Sequence, residues 1–317
     1  MTAPTARRSG RPLVSIVCPV FNEEATVPIF YERLQKVLIG LRARYDFELI
    51  FTNNRSTDRT LDLIRALRER DAEVQVLTFS RNFGYQASIL AGLQHASGDA
   101  MTIIDADGED PPEMLSVFIA EWEKGHDVVY GIRAKRNEPG WLQATRKLFY
   151  RVNRLVADSD VILDMAEFFL ITRAVRDAIT ANASTFPFLR TEVAFVGFEM
   201  KGIPYERQKR AAGRTHYNLV GLWVFAVAGI MASTTLPLRL AAYLFPPLVL
   251  VDAALFAVSA ATGSTATFRA LVTVSLLYLA FFATALCIYQ ARIYKNVVKR
   301  PLYIVDWRKS HLDRRDG

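Results

Sequence analysis

Cysteine is nearly absent from this chain: Cys18 and Cys287 are the two among 317 residues. One lies in a short apolar run and the other in a long one, so a disulfide framework is excluded as the basis of the fold. A reducing, cytosolic setting suits the globular part. An apolar core is missing from the first twelve residues. Met1 to Pro12 is polar and basic, and reads as a disordered arm rather than a secretory signal. A basic stripe with interleaved aromatics is also missing, so no nucleic-acid partner is expected despite a net charge of +7 and a pI near 9.4. That surplus points instead to anionic lipid and phosphorylated small molecules.

Charge is nearly lacking from two stretches near the C-terminus. Leu240 to Thr262 holds one charged residue, Asp252, and Ala270 to Ala291 holds none. Each exceeds the roughly 20 residues that cross a bilayer. The link, Gly263 to Arg269, is short. Arg239 flanks one side, and Arg292, Lys295, Lys299 and Arg300 flank the other. The positive-inside rule then puts both flanks in the cytoplasm and the link outside. A buried pair of soluble helices is the alternative. Pro246-Pro247 suggests a kink in the first run. Asp252 calls for a polar contact with Ser275, Tyr278 or a neighbouring subunit, and homo-oligomerisation is compatible with this reading. Asn218 to Ser233 is apolar and either spans or lies at the interface.

Between the arm and these runs, strand and helix signals alternate. Leu13–Cys18, Phe47–Thr52, Val74–Phe79, the run ending at Asp105, and Asp127–Ile132 read as strands. Thr26–Tyr45, Thr57–Arg70, Tyr85–Ala96 and Glu113–Lys124 carry apolar residues at helical spacing. Such alternation predicts an α/β fold: a mainly parallel sheet with helices on both faces. Beyond Gly140 the pattern loosens. Trp141–Val156 reads as an amphipathic basic helix, and Val193–Ile203 as a source of further strands.

The apolar run Ala100-Met101-Thr102-Ile103-Ile104 ends in Asp105-Ala106-Asp107, followed by the turn Gly108-Glu109-Asp110-Pro111-Pro112-Glu113. Open α/β sheets bind ligands at the carboxyl ends of their strands. Two carboxylates there, with few other ligands, suit Mg²⁺ or Mn²⁺ that also holds substrate phosphates. An acidic turn that merely caps a strand is the plainer alternative.

Three blocks stand in order: Pro19-Val20-Phe21-Asn22-Glu23-Glu24, Ser80-Arg81-Asn82-Phe83-Gly84, and Asp105 through Glu113. Together they resemble the family-2 inverting glycosyltransferases with a Rossmann-like GT-A fold, in the branch of the polyprenyl-phosphate (dolichol-phosphate) sugar synthases. The resemblance covers about residues 13 to 235. It implies transfer of a hexose from a nucleoside diphosphate sugar, with a UDP-sugar favoured and GDP-mannose the alternative, to a polyprenyl phosphate at the plasma membrane. The product would be a donor for cell-envelope glycan or glycoconjugate synthesis. The chain then divides into a basic arm (1–12), a cytosolic catalytic domain (13–217), an interfacial segment (218–239), a transmembrane hairpin (240–291) and a basic cytoplasmic tail (292–317).

The resemblance also implies roles. Pro19, Asn22, Glu23, Asn53, Asn54, Arg81, Asp105 and Asp107 would bind the nucleotide sugar. Asp105, Asp107 and Glu109 would hold the metal. Asp107, Glu167 and Arg133 would serve catalysis, and Arg133, Arg146, Arg210, Arg214 and His216 would contact the acceptor phosphate or the diphosphate. Arg146 and Lys147 are weaker candidates than Arg133 for the acceptor phosphate, a charged amphipathic face being the alternative for that pair, and Asp110 and Glu113 read as turn and helix-start residues. The chain departs from the family pattern at two places. Asn53-Asn54-Arg55-Ser56 stands where Asp-Asp-Gly-Ser is usual, and Glu167-Phe168-Phe169 where Asp-Phe-Arg is usual. Two rivals remain open. A processive polysaccharide synthase would carry Gln-x-x-Arg-Trp, but Gln143-Ala144-Thr145-Arg146 is followed by Lys147. A non-catalytic scaffold that binds nucleotide sugar would tolerate Asn53, Asn54 and Phe169.

Overall fold

The computed structural model of the chain describes residues 10–133, 165–181, 188–210 and 234–312. Among these, seven strands form one sheet. In chain order the elements are β1 (Leu13–Val20), α1 (Val27–Leu41), β2 (Asp46–Asn53), α2 (Thr60–Arg70), β3 (Val74–Thr78), α3 (Tyr85–His95), β4 (Ala100–Ile103), α4 (Met114–Glu123), β5 (Val128–Arg133), β6 (Met165–Thr172), α5 (Arg173–Thr180), α6 (Leu189–Phe195), β7 (Met200–Tyr205), α7 (Leu236–Thr262) and α8 (Thr265–Val298). The sheet order is β3-β2-β1-β4-β6-β5-β7.

β1 to β4 are parallel, so their carboxyl ends share one edge of the sheet. β1 is buried along its whole length, as expected for a strand covered on both faces. One face packs against α1, α2 and α4 through Phe30, Leu34, Ile64, Leu115 and Phe118. The other packs against α3, α5 and α6 through Ile89, Leu93, Val175, Ile179, Leu189 and Val193. This is the expected α/β architecture. One strand was not foreseen: β6 enters antiparallel between β4 and β5. A second departure concerns Val193–Ile203. Val193 to Phe195 close the helix α6, and strand structure begins only at Met200. Leu189 and Val193 are buried one helical turn apart, which is the spacing that decides for helix.

α7 and α8 are long and apolar enough to cross a membrane. At 1.5 Å per residue they measure about 40 and 51 Å, beyond a hydrocarbon core of about 30 Å. Both outrun the expected spans, and the turn contracts to Gly263 and Ser264. Gly263 takes the left-handed conformation (φ 64°) that ends a helix readily, and Ser264 caps α8 by accepting from Thr267 N. Pro246 and Pro247 lie inside α7. Ser275 Oγ donates to Asp252 Oδ2 at 2.8 Å, one of the contacts expected for that carboxylate. α8 runs on to Val298, and Val305 and His311 beyond it make bridges to Phe79 and Val76 at β3. Trp141–Val156 and Asn218–Ser233 lie outside the described residues.

α3 approaches β1 and β2 closely at Gly92. A methyl group there would come within 2.3 Å of Val17 Cγ1 and 3.1 Å of Thr52 Cγ2. Gly92→Ala is therefore expected to destabilise the protein by about 1–3 kcal/mol. Gly40→Ala, in α1 with nothing nearby, is expected to stabilise it by about 0.5–1 kcal/mol. Thermal unfolding of the detergent-solubilised protein should move in opposite directions for the two; a shared direction would refute this packing.

Candidate active site

The carboxyl ends of β1, β2 and β4 converge on a set of carboxylates. β1 runs into Asn22, which adopts a left-handed conformation (φ 55°) and stitches two turns together. Its Oδ1 accepts from Thr57 N at 2.8 Å, and its own N–H donates to Ser56 Oγ at 3.0 Å. Glu23 N donates to Thr60 Oγ1, so the Glu23 carboxylate is aimed from a fixed backbone. Pro19 lies within β1 and is buried.

β2 ends in Asn53, followed by Asn54, and both are buried. Asn53 Oδ1 accepts from Ser56 N at 3.0 Å, and Asn54 Oδ1 accepts from Phe83 N at 2.9 Å. These amides thus bind neighbouring backbone and shape the wall of the cleft. Arg81 lies over the Phe83 ring, 4.0 Å from its centroid, and donates to Asn82 O.

Asp105 and Asp107 follow β4. Tyr85, at the first position of α3, donates its hydroxyl to Asp105 Oδ1 at 2.9 Å. Burial, then the charges of Asp107 and Asp110, push the Asp105 carboxyl well above the usual carboxylate range. The antiparallel register of β4 and β6 pairs Thr102 with Leu170. Extended past the end of β4, it brings position 105 opposite position 167. Glu167 accordingly points to the same region. Gln86 Nε2 donates to its Oε1 at 2.8 Å, and Arg190 Nε lies 3.4 Å from the same oxygen. Phe169, where the family pattern has arginine, is buried in the core; it lies on the same face of β6 as Glu167.

Arginines from the segment after β7 close over the other carboxylates. Arg210 donates to Glu23 Oε1 at 2.6 Å and stands 3.8 Å from Asp107 Oδ2. Arg207 pairs with Glu109 and lies 3.9 Å from Asp110. Glu109, expected beside the metal, therefore faces Arg207. Asp110 is more than a turn residue: it is buried and accepts from the Tyr205 hydroxyl at 2.5 Å. Arg133 Nε in turn donates to that hydroxyl oxygen at 3.4 Å. Glu113 pairs with Arg33, away from the cluster. Arg146, Lys147, Arg214 and His216 lie outside the described residues.

Among the described residues no lysine or arginine pairs with Asp105. No group of three or more metal-ligating side chains is gathered there. Two carboxylates alone fit a cation of the Mg²⁺ or Mn²⁺ class, which keeps waters and takes further oxygens from a substrate. The Asp107 and Asp110 charges, second to burial in raising the Asp105 pKa, are ones that a cation would offset.

Sequence reasoning passed over Tyr85, Gln86, Arg190, Tyr205 and Arg207. Tyr85 and Gln86 open a helix directly after Gly84, and Arg207 belongs to the basic run that continues to Arg210; both positions carried a usable signal. Arg190 and Tyr205 reach the site only through the tertiary path of α6 and β7, which no local pattern gives.

The sequence pattern described as Glycosyl transferase family 2 matches residues 15–194. An uncharacterized glycosyltransferase of Bacillus subtilis is 36% identical over 304 residues, covering 92% of this chain and 92% of that protein. The SfII prophage-derived bactoprenol glucosyl transferase of Shigella flexneri is 32% identical over 313 residues, covering 94% and 98%. Among solved structures, a mannosyltransferase of Pyrobaculum calidifontis in complex with GDP-Man and Mn²⁺ is 18% identical. It covers 92% of this chain and 89% of its own, with a TM-score of 0.43.

Tyr85 is the sole hydroxyl donor to Asp105 among the described contacts. Tyr85→Phe is expected to lower stability by about 0.5–1.5 kcal/mol, the worth of a hydrogen bond to a partly buried acceptor. A melting temperature unchanged from the parent would show that Asp105 draws its support elsewhere.

Proposed function

Because this chain belongs to glycosyl transferase family 2, we propose that it transfers a hexose from a nucleoside diphosphate sugar to a polyprenyl phosphate at a membrane. The observation that carries the reading is the carboxylate pair Asp105 and Asp107 at the end of β4, faced by Arg210. The bactoprenol glucosyl transferases among its relatives support the lipid acceptor. The two long apolar helices support a membrane setting, with the catalytic domain and both termini in the cytoplasm.

The reaction is a single displacement with inversion. An oxygen of the lipid phosphate attacks the anomeric carbon while the bond from that carbon to the diphosphate breaks, and the nucleoside diphosphate leaves with the electron pair. A phosphate monoester has a second pKa near about 6, so it is largely dianionic at neutral pH. It needs little help from a base, and Glu167 then orients the acceptor rather than deprotonating it. A divalent cation held by Asp105 and Asp107 would supply charge stabilisation to the departing diphosphate. Arg207 and Arg210 stand ready for the same diphosphate. Arg133, backed by Tyr205 and Asp110, would take the acceptor phosphate. The segment around Asn22, Glu23, Asn53 and Asn54 would receive the nucleoside.

The test is transfer by the full-length protein in nanodiscs, with polyprenyl phosphate and a panel of nucleotide sugars, a UDP-hexose first and GDP-mannose second. Asp107→Ala should abolish transfer and leave the protein folded. Unchanged turnover of that variant in saturating Mg²⁺ or Mn²⁺ would refute the role of the pair.

Two further variants separate a lipid phosphate from a hydroxyl acceptor. Arg133→Ala should cost about 1.5–3 kcal/mol, the worth of a charge-assisted contact. That is about one to two decades of rate if the contact is fully expressed in the transition state. Glu167→Gln keeps the shape and one acceptor oxygen, and should cost less. An inactive Glu167→Gln beside a nearly normal Arg133→Ala would mean that the acceptor needs deprotonation, which points to a hydroxyl.

A further inference from the structure

The chain that follows α8 returns to the catalytic sheet and covers the outer edge of β3. Val76 and His311 exchange backbone hydrogen bonds at 3.0 and 2.8 Å, Ser80 N donates to Ile304 O at 2.9 Å, and Asp306 N donates to Thr78 O at 2.8 Å. Tyr303, Val305 and Leu312 pack on Leu77 and Phe79.

Two links lead from this strap to the proposed nucleoside wall. The first is a relay. Ser310 Oγ accepts from Thr78 N at 2.8 Å, and Thr78 Oγ1 donates to Lys309 O at 3.1 Å. A hydroxyl has one proton. With that proton on Lys309, the Thr78 oxygen can only accept from Asn53, whose Nδ2 lies 3.5 Å away. Asn53 Oδ1 meanwhile accepts from Ser56 N. Position 53 must donate and accept at once. An amide does both, whereas an ionised aspartate only accepts. The strap thus accounts for asparagine where the resembled pattern has aspartate.

The second link is Arg55, which lies 3.7 Å from Asp306 Oδ2. Arg55 holds a left-handed backbone (φ 63°), a conformation that suits glycine, the residue of the resembled pattern. Its side chain reaches out of that turn to the strap. Asp306 is itself fixed, since its Oδ1 accepts from Arg308 N at 3.2 Å.

We propose that residues 302–312 are a positioning element for the donor nucleotide. They set Asn53 through Thr78 and Arg55 through Asp306, so that donor affinity depends on a segment lying beyond the membrane helices in the chain. The proposal rests on the reading of Asn53 and Asn54, with Arg55 next in the same turn, as part of the nucleoside wall.

The experiment uses the full-length protein in nanodiscs. Calorimetry reads UDP and GDP binding, and kinetics vary donor and acceptor separately. Thr78→Val removes the hydroxyl with little change of shape, Thr78→Ser keeps it, and Asp306→Ala removes the partner of Arg55. Thr78→Val and Asp306→Ala should weaken nucleotide binding and raise donor KM by about fivefold to tenfold. Acceptor KM and kcat should stay within about twofold, and Thr78→Ser should match the parent. Should Thr78→Val fail to fold, Asp306→Ala carries the comparison, because Arg55 is exposed. Intact nucleotide binding in all variants would overturn the proposal alone. So would equal losses in donor KM, acceptor KM and kcat, or a Thr78→Ser protein as impaired as Thr78→Val. Failure of the unaltered protein to bind either nucleotide would overturn the donor reading and this proposal with it.

Discussion

Negative charge gathered at one edge of the sheet is the constraint around which the site is arranged. Glu23 follows β1, Asp105, Asp107, Glu109 and Asp110 follow β4, and Glu167 lies near the start of the antiparallel β6, so all six stand toward that edge. Like charges on the same side of a low-dielectric protein repel one another. The fold answers with arginines from later in the chain: Arg210 for Glu23 and Asp107, Arg207 for Glu109 and Asp110, and Arg190 for Glu167. Their side chains are 19–40% exposed, so each pair offsets only part of the repulsion. Asp105 has a neutral tyrosine hydroxyl instead, and its carboxyl holds its proton more tightly than usual. A site built this way is least comfortable where an external cation would help most.

Strand direction decides which carboxylates meet. Glu167 lies more than sixty residues after Asp105 in the chain, and only the antiparallel entry of β6 beside β4 places the two side by side. A parallel β6 would have carried Glu167 to the opposite end of the sheet. The same strand alternates its side chains between the two cores: Ala166, Phe168 and Leu170 face α1 and α4, whereas Met165, Phe169 and Ile171 face α3. Glu167 shares the α3 face, which is why Gln86 and Arg190 reach it. An arginine at position 169 would sit one step along that face, where the protein has packed a phenylalanine. Arg190 brings a guanidinium to Glu167 from α6 instead.

The first five strands and four helices could be read from periodicity, because β1 to β5 are short apolar runs separated by amphipathic helices with clear breaks. The Asp105-Ala106-Asp107 triplet was legible for the same reason: a strand end is a local feature. β6 was not, since its glutamate interrupts the apolar run and drew attention as a motif rather than as part of a strand. α6 was not, since a segment of seven residues gives too few turns to separate helix from strand. Arg207 and Asp110 were underweighted because their meaning is their pairing, and pairing is tertiary.

The last residues of the chain were the least legible. Their charge suggested a basic cytoplasmic tail, and Tyr303, Val305 and Leu312 within it supply apolar side chains to the edge of the sheet. An exposed edge strand is a liability in any open sheet, because its backbone donors and acceptors invite pairing with other chains. β3 is such an edge, and a segment arriving from the hairpin satisfies it from within the same molecule. The covering has a geometric consequence. α8 ends at Val298, and contact with β3 begins within a few residues, so the second apolar helix is held close to the β2–β3 side of the cleft. Under the proposed function, a membrane anchor tied there would limit how far the catalytic domain tilts away from the lipid surface. With the proposed lipid phosphate as acceptor, held at that surface, this limit would shorten the search between donor and acceptor without adding a contact to either.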